Sequence, residues 1–275
     1  MTHQKTSLTY KQAQLADVVR LRQTIRDGDY EGRTRGLAPG KLQANVVMLP
    51  RAVAQAFHQF CLHNAKPCPL VGVGRVGSPL LPTLGDIDVR SDLPGYSVYR
   101  RGELISQPNN IDAFWQNSLA VFALGSSYTF EHALIERRID LRHVTQNKVV
   151  PKFRSSIKTV RVGPFGGEVV VSLRPVKKRD VDKVRAITAR FPQAHGAPVH
   201  VGDPYAIGIE SLCRPHWGDP IEIRGDEVPV FWASGVTALN AVIQAKPDLC
   251  ITHSPGRMLA TDVDALADIG TFKTY

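Results

Sequence analysis

Two stretches of this chain follow one local plan: a short apolar run, a turn of small residues, then a helix-forming segment. The first reads Val121-Phe122-Ala123-Leu124-Gly125-Ser126-Ser127 and continues from Tyr128 to Ile135; the second reads Val230-Phe231-Trp232-Ala233-Ser234-Gly235-Val236 and continues from Thr237 to Ile243. Each plan ends a strand and starts a helix within a few residues, so the chain must mix the two. Such a junction presents unpaired backbone N–H groups and a positive helix end to whatever lies in front of it. Small hydroxyl residues at the turn can cap the helix or touch a ligand. Two junctions predict one anion-binding cleft assembled from distant parts of the chain.

The pattern around them predicts a mixed α/β and α+β fold. Residues 10–27 read as an amphipathic helix with a stripe of Leu15, Val18, Val19, Leu21 and Ile25, and 28–45 as a Gly- and Arg-rich loop. A second helix runs from Pro50 to about Asn64. Leu70–Val73 is a strand, 86–107 a strand–turn–strand turning at Arg101-Gly102, 110–117 a helix, 148–174 strand-rich, and Asp180–Arg190 a helix. A strand near Val199–Val201 and a final strand Leu249–Thr252 complete the expectation. No low-complexity linker divides residues 1–275, which are read as one unit. The two similar junctions suggest two intertwined subdomains of related strand-to-helix architecture, an outer three-layer part from 1–120 plus 225–275 and an inserted part from 121–224.

The 275 residues suffice for a sizeable core, and 43% hydrophobic with 21% charged residues is ordinary for a soluble globular chain. No apolar run approaches the roughly 18 residues that span a bilayer. The start, Met1-Thr2-His3-Gln4-Lys5, has no signal-peptide core, so no membrane association and a cytoplasmic location are expected. Cys61, Cys68, Cys213 and Cys250 form no C-x-x-C pair and indicate neither a zinc site nor a disulfide framework. The net charge of +9 comes as scattered doublets without basic–aromatic interleaving. It is read as solvated faces first, an anionic small substrate second and nucleic acid last, so no nucleic-acid partner is expected.

Gly72-Val73-Gly74-Arg75-Val76-Gly77 fits G-x-G-x-x-G after a strand, but a dinucleotide site also needs a helix starting there. Ser78-Pro79 and Pro82 argue against that helix, and a loop is expected instead. The run from His195 to Pro204 holds His195, His200 and Asp203 in a Gly- and Pro-rich loop. One reading makes a histidine an acid/base group oriented by Asp203. The other has the histidines pin loop backbone while Asp203 caps a turn, and the absence of a metal or triad spacing favours it. His253, at the end of the final strand, sits where open α/β sheets bind ligands, or it caps a turn. Asp86, Asp88 and Asp92 would share a face with Arg90 if a strand continued that far. They could hold a divalent cation, but ion pairing with arginine is the favoured reading, and no metal site is expected.

Seven stretches in order resemble the D-glutamate cyclase family, whose bacterial members carry a hydro-lyase label. They are Gln43-Ala44-Asn45 with Leu49-Pro50, Phe60-Cys61 with Cys68-Pro69-Leu70, Asp86 to Pro94, Val169 to Pro175, His195 to Pro204, Glu227 to Trp232, and Thr252-His253-Ser254-Pro255-Gly256. The resemblance covers most of the chain from about residue 40 to 262. It implies two intertwined α/β subdomains, a homo-oligomer, and interconversion of D-glutamate and 5-oxo-D-proline with loss of water. The family pattern carries Gly-Cys-Ser at the first junction and Ala-Cys-Gly at the second, where this chain has Ser126 and Ser234. It continues Val-Thr-Pro-Gln where this chain has Val236-Thr237-Ala238-Leu239. The difference bears on chemistry, because a thiol near a helix N-terminus ionises at neutral pH, whereas a serine hydroxyl needs a neighbouring base.

The expected function is therefore a hydro-lyase acting on a small anionic amino-acid-like substrate, with D-glutamate the best guess and no cofactor. Ser126, Ser234, His195, His200, His253 and Asp203 are the catalytic candidates. Arg90, Arg174, Ser127, Gly235 and Thr237 are the substrate-binding candidates, the arginines because guanidinium meets carboxylate bidentately. The alternative is a non-catalytic binder of an acidic metabolite on the same fold.

Overall fold

The computed structural model of the chain describes residues 8–268; the polar start at 1–7 lies outside the described residues. Two helices, α1 (Tyr10–Gln14) and α2 (Val18–Arg26), replace the single one expected over 10–27. Asp17 makes the break, since its carboxylate accepts the Arg20 N–H at 2.8 Å and caps α2. Val18, Leu21, Arg22 and Ile25 then form the buried stripe. Val19 falls off it and Leu15 lies outside both helices, so both are exposed. The first strand, β1 (Lys41–Pro50), starts earlier than expected because polar Lys41, Gln43 and Asn45 alternate with its apolar residues. It passes directly into α3 (Arg51–His63).

β2 (Leu70–Val73) leads into turns rather than a helix, with Gly77 at φ 83°, so the G-x-G-x-x-G run lacks the helix start a dinucleotide site needs. Residues 86–90 are not a strand and make one bridge, Leu80 to Asp88. The buried Asp92 carboxylate accepts the Asp88 N–H at 2.9 Å and curls the segment into a turn. The aspartates are ion-paired with arginine: Asp92 with Arg26 at 2.7 Å, Asp86 with the same arginine at 3.8 Å, and Asp88 with Arg90 at 2.6 Å. The hairpin β3 (Tyr96–Arg100) and β4 (Glu103–Ser106) turns at Arg101 and Gly102, both at positive φ as a tight two-residue hairpin requires. Residues 112–114 form only a short 3-10 turn.

The first junction joins β5 (Leu119–Gly125) to α4 (Tyr128–Glu136). After it come α5 (Arg142–Thr145), β6 (Lys152–Lys158), β7 (Glu168–Lys177), α6 (Val181–Ala189) and β8 (His200–Val201). The second junction joins β9 (Glu227–Ala233) to α7 (Val236–Ala245), and β10 (Cys250–His253) and β11 (Leu259–Asp264) close the chain. Every strand pair is antiparallel. One sheet runs β2-β5-β1-β10-β3-β4 with β11 also on β1, and the other runs β6-β7-β9-β8. β5 belongs to the first sheet and β9 to the second, so the chain passes between the sheets after each junction strand.

The two sheets repeat one design. β1 and β7 are both ten residues and β5 and β9 both seven. Ala44 opposes Gly125 in the first pair as Val171 opposes Ala233 in the second. A helix follows each strand: α3 after β1, α6 after β7, α4 after β5, α7 after β9. The helices are exchanged. Ala238, Ala241 and Val242 of α7 pack with Phe57 and Phe60 of α3 on β1 and β5 of the first sheet. Phe130, Ala133 and Leu134 of α4 pack with Val184 and Ile187 of α6 against Val230 and Trp232 of the second. Each large apolar side chain buried this way contributes about 1.5–3 kcal/mol. The exchange intertwines the halves.

Candidate functional site

The junctions match atom for atom. Ser126 N–H donates to the Gln43 carbonyl at 3.0 Å, and Ser234 N–H to the Val170 carbonyl at 2.9 Å. Gln43 N–H donates to Thr129 Oγ1 at 3.0 Å, and Val170 N–H to Thr237 Oγ1 at 3.0 Å. The serine hydroxyls accept the Tyr128 and Val236 N–H groups, each at 3.4 Å. Serine and threonine three residues apart thereby clasp the helix start to the neighbouring strand. Ser127 and Gly235 follow the serines with backbone angles of −60°/−16° and −58°/−16°. Both are partly exposed, and among the described residues neither N–H meets an acceptor. Each of these N–H groups stands at the start of a helix, α4 and α7.

Each junction touches the opposite half. Ser127 Oγ accepts Arg174 Nη2 at 3.1 Å. A Cβ on Gly235 would lie 2.5 Å from Asn45 Nδ2, so only glycine fits there. Asn45 is held in turn by the carbonyls of Leu124 and Gly125, at 3.4 and 3.0 Å. The first junction thus leans on β7 and the second on β1.

Arg174 is 1% exposed. Its guanidinium binds Glu131 at 2.6 Å and Ser172 Oγ at 3.1 Å, and lies between the rings of Phe130 and Trp232 at 5.3 and 5.4 Å. Its two terminal nitrogens are engaged by Ser172, Ser127 and Glu131, while Nε is buried without a partner among the described residues, so the guanidinium fixes Ser127 from within the core. Glu131 also meets His143 Nε2 at 2.8 Å. Burial would raise the Glu131 carboxyl, but His143 and Arg174 outweigh it and hold it at about 2. Burial pushes the His143 pKa down, against the pull of Glu131.

The histidines differ in role. His253 Nδ1 lies 3.2 Å from the Val46 N–H, and burial, with the Lys152 charge adding to it, pushes its pKa down to about 4. His195 is 1% exposed with its Nδ1 3.0 Å from the Lys66 carbonyl, and burial again takes it to about 4, Arg174 and Lys66 adding to the effect. His200 Nε2 meets the Asp203 carbonyl at 2.7 Å, and the Asp203 carboxylate accepts Tyr205 N–H at 3.0 Å. His200 and Asp203 therefore hold their own loop. Among the described residues no hydrogen bond joins a histidine to Ser126 or Ser234. Arg90 engages Asp88 at 2.6 Å and Asp112 at 3.4 Å, away from the junction contacts.

Sequence reasoning missed Asn45, Glu131 and Lys152. Lys152 opens β6, opposite Ser172 on β7. Burial, reinforced by Arg174, pulls its pKa down to about 8, with Glu131 opposing. Asn45 and Glu131 left a faint signal, a polar residue within an apolar strand and an acid in a helix's first turn. Lys152 left none, because strand pairing alone brings it here. Beside the first junction lies a cavity of about 520 Å³ lined by Tyr10, Tyr30, Arg33 and Arg35 among others, and both arginines act on the Tyr128 hydroxyl. No helix among the described residues is long and apolar enough to cross a membrane.

Comparison with known proteins bears on this arrangement. The family profile described as D-glutamate cyclase matches residues 120–262, which hold both junctions. A protein of Verminephrobacter eiseniae named "Putative hydro-lyase" is 52% identical over 91% of this chain and 92% of its own length. A protein of Jannaschia sp. with the same name is 50% identical over 90% and 94%. A Bordetella pertussis protein, also named as a hydro-lyase of that kind, is 49% identical over 86% of each.

Proposed function

This chain belongs to the D-glutamate cyclase family, and from that premise we propose that it interconverts D-glutamate and 5-oxo-D-proline plus water. The observation that carries the reading is the pair of unpaired N–H groups, Ser127 and Gly235, at two helix starts that each touch a strand of the opposite half, at Arg174 and at Asn45. Glutamate carries two carboxylates, and each notch suits one. Held at both ends, the substrate brings its amine toward its side-chain carboxylate, and proximity supplies much of the advantage of ring closure. Ser126 and Ser234 shape the notches through their caps, Thr237 clasps the second to β7, Arg174 positions Ser127, and His253 Nδ1 holds the β1 backbone at Val46. His200, Asp203 and Arg90 have no part in this reading.

One observation favours a second reading. Among the described residues neither serine hydroxyl is hydrogen-bonded to a base, as suits a protein that binds an acidic metabolite without turning it over. Pure protein incubated with each enantiomer of glutamate and of 5-oxoproline, followed by chirally resolved chromatography, separates the two. Conversion of the D forms alone is expected. Thermal stabilisation by D-glutamate without conversion would favour the binder, and neither effect would remove the substrate assignment.

A further inference from the structure

Lys152 and Ser172 oppose each other across β6 and β7. Residues paired this way point to the same face, as do residues two apart on a strand. Lys152, Ser172 and Arg174 therefore share a face, the one on which Arg174 reaches Ser127. The Lys152 ammonium makes one long contact, 3.5 Å to the Val150 carbonyl, and is in no ion pair among the described residues. The acid nearest in effect, Glu131 on α4, is already shared by Arg174 and His143. Arg174 on β7 is the other charged group acting on it, and Lys152 in turn acts on His253 at the end of β10.

The remaining ionisable groups of the cleft are committed. Arg174 is tied to Glu131, Ser172 and Ser127, Glu131 is locked as a carboxylate, and Nδ1 of His195 and of His253 lies against backbone. A lysine is a compact charge on a flexible stem, free to reach a ligand and to lose its proton when crowded by other cations. Around neutral pH it is the uncommitted group here that changes charge.

We propose that Lys152 is the proton carrier of the cleft, taking a proton from the substrate ammonium and passing it to the carboxylate oxygen that departs. This rests on the D-glutamate reading above. The amine attacks the side-chain carboxyl carbon, a C–N bond forms and a C–O bond breaks. Of the three ammonium protons one stays on the lactam nitrogen and two leave with the departing oxygen as water. Lys152 ends as it began, so no further reactant is consumed.

The test has two arms. In the first, trace acetylation of wild-type protein across pH 6–11 is quantified at Lys152 by peptide mass spectrometry, with and without D-glutamate. Half-maximal reactivity near pH 8 and protection by D-glutamate are expected. In the second, kcat and KM are measured for wild type, Lys152→Arg and Lys152→Met. Arginine keeps the charge but cannot release the proton, so Lys152→Arg should retain KM within about threefold while kcat falls about 100-fold or more. Wild-type kcat/KM should rise with pH and level off near 8, a break absent from the arginine variant. Full kcat in Lys152→Arg overturns the proposal. If wild type does not turn over D-glutamate, the substrate reading fails and the first arm still decides. Lys152 that acetylates like a surface lysine, without protection, overturns the inference in that case too.

Discussion

Replacing Lys152 with methionine should stabilise the protein at neutral pH. Met has a similar reach and no charge, and the folded cleft disfavours the ammonium. The Lys152 pKa falls from 10.5 to about 8 on folding, which at ~1.4 kcal/mol per tenfold change is about 3 kcal/mol of penalty. Lys152 keeps some contact with solvent, which screens part of that, so a gain of about 1–2 kcal/mol is expected. The sign follows from proton counting. Below pH 8 the lysine is protonated folded and unfolded, and the penalty is fully present. Between pH 8 and 10.5 only the unfolded chain holds the proton, so wild-type stability climbs with pH and the penalty disappears. Urea denaturation of both proteins at pH 7 and pH 10.5 checks this. The reasoning predicts a clear advantage for Lys152→Met at pH 7 that vanishes at pH 10.5. A variant no more stable at pH 7, or an advantage equal at both, would refute it.

Other perturbations follow from the same geometry. His195 and His253 both fall from 6.5 to about 4 on folding, so each costs stability as pH drops from 6.5 toward 4; a His195→Gln variant should show a shallower acid limb in pH-dependent denaturation. Arg174→Met leaves Glu131 buried with His143 alone and should cost about 3–5 kcal/mol, read as a lowered urea midpoint. Gly235→Ala drives a Cβ into the Asn45 amide and should cost about 1–3 kcal/mol, together with any stabilisation by D-glutamate.

Much of this molecule is legible in its residues, and what is not has physical causes. β2, α3, the β3–β4 hairpin and both junctions follow from local apolar runs, proline placement and turn residues. Residues 86–90 looked like a strand because alternation is a local signal, whereas the Asp92 carboxylate that folds the segment back acts across a turn. No local pattern marks β11, because Leu259–Asp264 is half polar and becomes a strand through pairing with β1. The cleft divides the same way. Ser126, Ser127, Ser234, Gly235 and Thr237 are visible as paired motifs. Lys152 and Glu131 reach the cleft only through strand register and the exchange of α4 and α7 between sheets, which no local pattern encodes. His200 and Asp203 form a plausible acid/base pair on paper, yet their hydrogen bonds close their own loop.

The central claim is that Ser127 and Gly235 present their N–H groups to one ligand. Selective nitrogen-15 labelling of serine and glycine, with amide shifts followed by NMR during a D-glutamate titration, tests it most directly. The account predicts that both resonances move, with one shared midpoint. Movement of only one, different midpoints, or no response from either would contradict it.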